Sequence, residues 1–455
     1  MTLDMTKGNP FPIILKFMIP LFIGNVFQQL YNMADTIIVG RFVGADALAA
    51  VGATGTIMFL VLGFSQGLCT GFTVLTSQVY GAQDYPRVKR SVANGILLAA
   101  IVIVVVTTLS VSMMRPLLRL MNTPANIFED AHTYISIICM GIVASVYYNL
   151  FSAFLQAVGN SKVPLCFLVF SACLNVVLDL FFIIGLKLGV AGAALATDLS
   201  QGISATLCLF YIYKKEKVLW PERHDWRINR SDTQRQMSVG VPMALQFAIT
   251  ASGTIIMQSA INLFGSTAVA ATTAANKLHS VLTQEMNSMG QAMATYSGQN
   301  YGSGKSERIS AGVRAAIVIE TIYSILAAII CLLLLRPVMA IFFAGSGSIE
   351  EMMPWASTYV HIATLFYIPL SFIFIFRNAM QGCGHGFLPM MGGVVELLAR
   401  LIVALFAMKL VLFPLAVFCD PAAWISACLF TAGSYLVVIK NCLLYTSPSP
   451  RNKRQ

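Results

Sequence analysis

Charged residues are scarce in this chain. Asp, Glu, Lys and Arg make up 11% of its 455 residues, whereas 57% are hydrophobic. A soluble domain carries about 25% charged residues, so this chain has too little charge to cover a water-exposed surface. The composition excludes a soluble enzyme, a nucleic-acid-binding module and a disordered protein. Because a membrane-crossing helix needs about 20 apolar residues, the length allows roughly twelve crossings. Composition and length together predict a polytopic membrane protein.

The chain also lacks the motifs of common catalytic and metal sites. It has no Walker A sequence, no nucleophile elbow and no His-Glu-x-x-His motif. Its ten cysteines stand singly in apolar stretches without a Cys-x-x-Cys pair, which argues against a disulfide or zinc framework. We therefore expect no enzymatic activity and no cofactor. Without a visible ATPase, an ion gradient must supply the energy for any transport.

Twelve apolar stretches can be read along the chain. We expect each to be a helix, because backbone groups in lipid must be hydrogen-bonded within the segment. The stretches are 12–38, 48–77, 90–112, 131–157, 162–184, 189–213, 236–263, 269–298, 309–335, 355–380, 388–410 and 420–441.

The basic residues predict the orientation of these spans. An even number of spans places both termini on one side, and that side carries sixteen Lys and Arg residues against six on the other. Loops rich in Lys and Arg stay in the cytoplasm, so we expect both termini to be cytoplasmic. Topology thus explains the net charge of +10, and no nucleic-acid partner is needed.

The two halves of the chain resemble each other. Segments 19–20, 44–50, 78–81 and 156–159 match 241–242, 265–271, 299–302 and 381–384. This repeat predicts an N-lobe over 1–213 (spans 1–6), a cytoplasmic linker over 214–236 and a C-lobe over 237–442 (spans 7–12). Six spans in each half give both halves the same direction. We therefore expect two lobes related by a pseudo-two-fold axis along the membrane normal, with a substrate path between them.

The last segment, 443–455, differs sharply in composition from the rest. It resembles translated sequencing-adapter read-through, and a disordered basic tail is the alternative. We expect it to be non-native and exclude it from the argument.

Acidic residues inside spans are costly in lipid and are therefore functional candidates. Asp35 on span 1 follows Gln28, Tyr31 and Asn32 on one helical face, and Pro20 should bend this helix. We interpret Asp35 as a coupling or substrate-binding residue and Pro20 as a hinge.

Span 5 carries a second candidate. Asn175 and Asp179 share a face at i, i+4, and their oxygens suit a hard cation or a proton. A structural hydrogen-bonding role is the alternative for both aspartates.

The remaining acids have less specific interpretations. Glu396 and Arg400 form an i, i+4 pair that neutralises itself. Glu285 is a candidate for a second polar cluster with Lys277 and His279. Glu320 stands alone near the start of span 9, where snorkelling to the interface explains it at least as well as a functional role. Asp198, near the middle of span 6, has no assigned role.

These residues make the sequence similar to the bacterial multidrug and toxic compound extrusion (MATE) family. The resemblance covers roughly residues 8–441. It rests on the segments 28–36 (Gln-Gln-Leu-Tyr-Asn-Met-Ala-Asp-Thr), 39–44 (Val-Gly-Arg-Phe-Val-Gly), 156–160 and 189–197, and on the two Gln-x-Tyr-Gly motifs.

The resemblance implies an all-α membrane protein with twelve transmembrane helices in two six-helix lobes around a V-shaped central cleft. It implies a multi-pass monomer of the bacterial cytoplasmic (inner) membrane. Such a protein would exchange Na⁺ or H⁺ for amphipathic, often cationic, organic compounds. Membrane lipid and these compounds would be its only partners.

The resemblance also implies a cation site in the N-lobe. Its carboxylates match Asp35 and Asp179, and its other ligands match Asn175, Thr197 and the carbonyl of Ala193. Some members have an acid on span 7, but residues 243–262 contain none, which favours the N-lobe site. Residues assigned to the substrate cleft are Gln28, Asn32, Tyr134 and Asn149, with Tyr134 also lying close to the cation site.

Three alternatives remain open at this point. A flippase or exporter of a lipid-linked or oligosaccharide intermediate belongs to the same superfamily, but mid-span Lys and Arg, expected for such cargo, are scarce. A membrane enzyme or channel would need ligand clusters or filter loops. The loop after span 2 matches the loop signature of a major-facilitator transporter only loosely.

The basic asymmetry makes the topology testable. An impermeant thiol reagent applied to intact cells should fail to label His224→Cys and should label Ile349→Cys, because the two positions are predicted to lie on opposite sides. The parent protein is the control for labelling of native cysteines. Reaction of both positions from the same side would refute the two-lobe topology.

Overall fold

The computed structural model describes residues 2–121, 123–343 and 349–446, and most of them are helical. The helices are α1 (Pro10–Phe42), α2 (Ala45–Gly81), α3 (Tyr85–Leu120), α4 (Ala125–Met140), α5 (Ile142–Ala157), α6 (Lys162–Leu180), α7 (Gly189–Lys215), α8 (Arg230–Asn262), α9 (Gly265–Gly302), α10 (Ser306–Phe342), α11 (Ile349–Thr364), α12 (Tyr367–Gly382), α13 (Phe387–Leu410), α14 (Phe413–Val417) and α15 (Cys419–Thr446).

All twelve predicted apolar stretches are helical. Within the described residues, nine helical segments are long and apolar enough to cross a membrane, and two bent pairs bring the number to as many as 11. The stretch 269–298 lies in α9, a 38-residue helix rich in small and hydroxyl-bearing residues. The all-α membrane fold class is confirmed. Of the predicted tail 443–455, the first four residues continue α15, and 447–455 lie outside the described residues.

Two spans in corresponding places of the repeat are broken. The stretch 131–157 consists of α4 and α5, which meet at Gly141 with a bend of 45°. The stretch 355–380 consists of α11 and α12, which meet at Leu365 and Phe366 with a bend of 49°. Broken spans expose backbone groups to a protein interior and are common at transporter binding sites.

The matching segments 156–159 and 381–384, both Gln-x-x-Gly, have the same backbone geometry in both halves. Gly159 and Gly384 have φ angles of +87° and +90°, and their N–H groups donate to the carbonyls of Gln156 and Gln381 at 2.8 Å. Glycine is favoured there because it adopts a positive φ without a steric penalty. The internal repeat is therefore visible in local structure as well as in sequence.

The chain divides into two compact units. Unit 1 comprises Met1–Asp4 and Ile19–Phe247, and unit 2 comprises Met5–Met18 and Ala248–Gln455. The divisions fall inside α1 and α8, whereas the sequence placed its boundary in the loop 214–236. Each half's first helix therefore begins in one unit and continues in the other, and Pro20 lies just beyond the division in α1.

Small residues explain why the start of α8 belongs to unit 1. Gly63, Gly67 and Gly71 of α2 are spaced four residues apart, and a Cβ added at Gly67 would lie 2.8 Å from Ala244 Cα. At Gly71 it would lie 2.2 Å from Gly240 Cα. Small residues at this spacing let two helix backbones approach closely, as is common in membranes.

Polar contacts hold the starts of both divided helices. In unit 1, buried Asn94 donates to Gln236 Oε1 at 2.7 Å, and Arg87 pairs with Asp232 at 2.9 Å. In unit 2, the Met5 N–H donates to Gln299 Oε1 at 3.2 Å. Gln299 belongs to a Gln-x-Tyr-Gly motif, so this motif anchors the segment that precedes α1.

Unit 2 also contains a buried ionic network. Glu396 accepts from Arg400 at 2.9 Å, as its i, i+4 spacing predicted, and from Arg377 at 3.2 Å. Arg400 in turn donates to Asp420 at 2.7 Å. Two positive and two negative charges neutralise one another. Because loss of one partner would leave a buried charge uncompensated, the network has a structural role.

The contact between α2 and α8 predicts the effect of one methyl group. Gly71→Ala should lower the stability of the protein by about 1–3 kcal/mol, because the new Cβ overlaps the α8 backbone. Gly55→Ala, in the same helix with nothing within 4 Å, is the matched control and should be neutral or slightly stabilising. Thermal unfolding of the purified protein measures both. Equal midpoints for the two variants would contradict the proposed packing.

Candidate functional site

Helices α1, α6 and α7 bring the predicted cation ligands together inside unit 1. Asp35 is 8% exposed, and Asn175 and Asp179 are fully buried. Asn175 and Asp179 share a face of α6 because they are four residues apart. The carboxyl groups of Asp35 and Asp179 are direct neighbours. We call these two residues the unit 1 acid pair.

Thr197 links the acid pair to its surroundings. Its Oγ1 accepts from Tyr31 Oη at 3.2 Å and from Asn175 Nδ2 at 3.4 Å. Both carboxylate oxygens of Asp179 and the amide oxygen of Asn175 accept no hydrogen bond from the described residues. Unpartnered buried oxygens cost free energy, and two adjacent carboxylates repel each other. A proton or a small cation would relieve both costs.

The oxygen atoms suit a hard cation better than a transition metal. Among the described residues, no group of three or more His, Cys, Asp or Glu could hold a metal ion. Carboxylate, amide and hydroxyl oxygens are hard ligands, which favour hard cations. The donor set therefore fits a proton or a hard cation.

Ala193 and Tyr134 lie beside this site. Both are buried in one apolar cluster with Val39, and Ala193 precedes Thr197 by one turn of α7. Tyr134, on α4, is close enough to Asp35 to interact electrostatically with it. Tyr134 is thus placed with the acid pair, and it does not line the cavity described next.

Unit 1 also contains a polar cavity of about 70 Å³, and neither member of the acid pair lines it. Gln28 and Asn149, two of the predicted cleft residues, both line it, and so does Tyr31. Asn32 is exposed, and its carbonyl accepts a hydrogen bond from the Thr36 hydroxyl at 2.8 Å. Further lining residues were not singled out by sequence; they are Leu62, Gln66, Ser145, Tyr148, Leu168, Ser171, Ala172 and Gln201. Tyr31 therefore belongs to both the cavity and the Thr197 contact.

Asp198 lies against the break between α4 and α5. A Cβ added at Gly141 would be 1.9 Å from Asp198 Oδ2, so any larger residue there would displace the Asp198 side chain. The sequence left Asp198 without a role. Gly141 was the sequence feature that could have indicated this contact, but a single glycine inside an apolar stretch does not reveal which side chain faces it.

Two interpretations of unit 2 were wrong. Glu320 is fully buried rather than interfacial, and its neighbour is the carboxyl group of Glu285. Lys277 is exposed, and His279 hydrogen-bonds Tyr367 Oη at 2.9 Å. Glu285 therefore pairs with an acid on α10, and the predicted cluster with Lys277 and His279 does not form.

Comparisons with known proteins agree with this fold. The MatE family model matches residues 20–181 and again residues 242–406, once in each half. The chain is 32% identical to the probable multidrug resistance protein YpnP of Bacillus subtilis, over 67% of this chain and 68% of that protein. It is 26% identical to a probable multidrug resistance protein NorM of Thermotoga maritima, over 87% and 85% of the two chains. A FAD transporter of Shewanella oneidensis is 22% identical over 95% and 90%.

Solved structures show the same fold. A crystal structure of MATE in complex with MaL6 superimposes with a TM-score of 0.89 at 21% identity, covering 97% of this chain and 99% of that one. A MATE structure in the bent conformation gives 0.89 at 22% identity, covering 98% and 99%.

The fold and these matches define a membrane transporter of the multidrug efflux class, not an enzyme. The chain belongs to the MatE family.

The contacts of Thr197 give a test of the site. Thr197→Val keeps the shape of the side chain but leaves Tyr31 Oη and Asn175 Nδ2 without an acceptor, which should cost about 1–3 kcal/mol of stability. Thr206→Val, at an exposed position of the same helix, should cost little. Thermal unfolding in detergent compares them. Similar losses in both variants would show that the Thr197 contacts contribute nothing.

Proposed function

We propose that the protein is an antiporter that exchanges Na⁺ or H⁺ for amphipathic, cationic organic compounds. The observation that carries the proposal is the position of Tyr31. It lines the polar cavity and donates to Thr197, which also accepts from Asn175 next to the acid pair. A change in the charge of the acid pair can therefore reach the cavity through one side chain.

The chemistry of exchange follows from competition for negative charge. With both carboxyl groups ionised, Asp35 and Asp179 attract any cation that can reach them, including a cationic substrate. A proton or Na⁺ on the pair neutralises that charge and removes the repulsion between the two groups. The substrate then loses its electrostatic attraction and leaves.

Pro20 is proposed as the hinge of this exchange. It removes one backbone hydrogen-bond donor from α1, next to the point where α1 passes from unit 2 to unit 1. Bending there would move Tyr31 and Asp35 together, because both lie further along α1. Such a change requires only that the two conformations differ in cation affinity.

The proposed setting is the bacterial cytoplasmic membrane, with a monomer whose termini both face the cytoplasm. The excess of Lys and Arg on one side supports this orientation. The internal repeat supports two lobes related by a pseudo-two-fold axis, which stays a prediction.

The substrate class is supported by the names of the relatives. YpnP and NorM are described as multidrug resistance proteins, and the Shewanella relative as a FAD transporter. The comparisons do not favour a flippase of lipid-linked sugars. Since FAD is anionic and multidrug substrates are often cationic, both types of compound belong in the transport assay.

Efflux from proteoliposomes tests the proposal. A fluorescent cationic dye and FAD are each assayed under an imposed Na⁺ gradient and, separately, under a pH gradient. Gradient-driven dye movement should fall to background in Asp35→Asn and in Asp179→Asn, because a neutral side chain cannot be charged and discharged. Asp46→Asn, at an exposed position of α2, is the matched control and should transport normally.

Two results would refute the proposal. One is uphill dye movement at wild-type rates in both aspartate variants. The other is gradient-driven movement of FAD without any movement of the dye, which would assign an anionic substrate.

A further inference from the structure

Unit 2 contains a second buried acid pair, which the function proposed above does not use. Glu285 lies on α9 and Glu320 on α10, and their carboxyl groups are direct neighbours. Glu285 is 2% exposed and Glu320 is 0% exposed. All four carboxylate oxygens accept no hydrogen bond from the described residues. We call these two residues the unit 2 acid pair.

No basic side chain of the described residues neutralises the unit 2 acid pair. Helices α11, α12 and α15 also pack against α9 or α10. The titratable groups of these five helices near the pair are tyrosines, one histidine and two cysteines, namely Tyr323 and Cys331 on α10, Tyr359 on α11, Tyr367 on α12, His279 on α9 and Cys428 on α15. The buried charged groups of α12 and α15 are engaged in the separate ionic network, Arg377 with Glu396 and Asp420 with Arg400.

Tyrosine hydroxyls near the pair are already committed. Tyr323 Oη donates to the Leu282 carbonyl at 2.7 Å, and Tyr359 Oη donates to Asn276 Oδ1 at 3.1 Å. Tyr367 Oη is paired with His279 Nδ1 at 2.9 Å. The two carboxyl groups therefore depend on each other.

Two ionised carboxylates cannot remain side by side in a dry interior. Their mutual repulsion adds to the cost of removing each charge from water, so at least one positive charge must be bound between them. A proton fits most simply, because one carboxylic acid can donate a hydrogen bond to its ionised neighbour. The pair would then titrate as a unit.

The broken span of unit 2 lies next to this pair. Leu282 and Met286, which flank Glu285 on α9, pack with Phe366 and Tyr367 at the junction of α11 and α12. A helix break has free backbone groups and is a place where a span can open without unfolding. The pair thus lies where a local movement would admit water.

We propose that Glu285 and Glu320 form a second cation-binding site that holds one proton between two carboxyl groups and releases it when the α11–α12 junction opens. On release, the carboxyl O–H bond breaks and the proton passes to water. The pair, which had one negative charge, then has two. The site is independent of Asp35 and Asp179, and each unit then contains its own acid pair.

Infrared spectroscopy of the full chain in liposomes tests this site. The carbonyl stretch of a protonated carboxyl group is followed through a pH titration in the Asp35→Asn/Asp179→Asn/Asp198→Asn background, which removes the unit 1 acid pair and the neighbouring buried carboxyl group of Asp198. A pH-dependent band should be present, and further Glu285→Gln/Glu320→Gln substitution should abolish it. Glu307→Gln, at an exposed position at the start of α10, is the control and should leave the band unchanged.

The outcomes separate this site from the coupling proposed for unit 1. The band should persist whether or not the aspartate variants transport dye. A band that survives loss of both glutamates would overturn the proposal. A band that never titrates would also overturn it, because it would show a permanent structural hydrogen bond. A band present in choline buffer and lost in Na⁺ would assign Na⁺ as the occupant and overturn the proton assignment. If the double variant does not fold, each single variant is compared, and an unchanged band in both counts against the site.

Discussion

The cost of placing a carboxylate in the membrane interior governs this structure. Each buried acid must be neutralised by an arginine, by a proton or by a small cation, because lipid and apolar side chains do not solvate charge. Glu396 is matched by Arg377 and Arg400, and its environment is complete. Among the described residues, no basic side chain neutralises the pair Asp35 and Asp179 or the pair Glu285 and Glu320. The same physical rule thus separates a structural acid from acids that need a mobile positive charge.

The helical framework explains how such pairs are kept. Close backbone contact through Gly67 and Gly71 fixes the start of α8 in unit 1, and the contacts of Gln299 fix the segment before α1 in unit 2. The middle part of α1, with Pro20 and Asp35, follows a division between the units. A rigid anchor followed by a proline gives a helix that can bend at one place, and this is what the proposed exchange requires.

Sequence predicted the parts of the site that depend on short-range periodicity. The i, i+4 spacing placed Asn175 and Asp179 on one face, and the resemblance to the MatE family supplied Thr197 and Ala193. The pairing of Glu285 with Glu320 was missed because the two residues lie on different helices, and only packing decides which faces meet. For the same reason, Gly141 did not indicate that Asp198 packs against it. The repeat and the twelve helical stretches, by contrast, followed from the sequence pattern alone. The unit boundary inside α8 follows from the close α2–α8 contact, whereas the sequence suggested a boundary in the polar loop 214–236.

The central claim is that cation binding at Asp35 and Asp179 and substrate binding beside Tyr31 are linked. Equilibrium binding of a fluorescent cationic substrate to the purified protein, titrated with Na⁺ and with H⁺ separately, measures this linkage without transport. The account predicts that one of the two cations weakens substrate binding in the wild-type protein and that this effect disappears in Asp179→Asn, since linkage between two sites is reciprocal. Substrate affinity that is independent of both cations in the wild-type protein would contradict it.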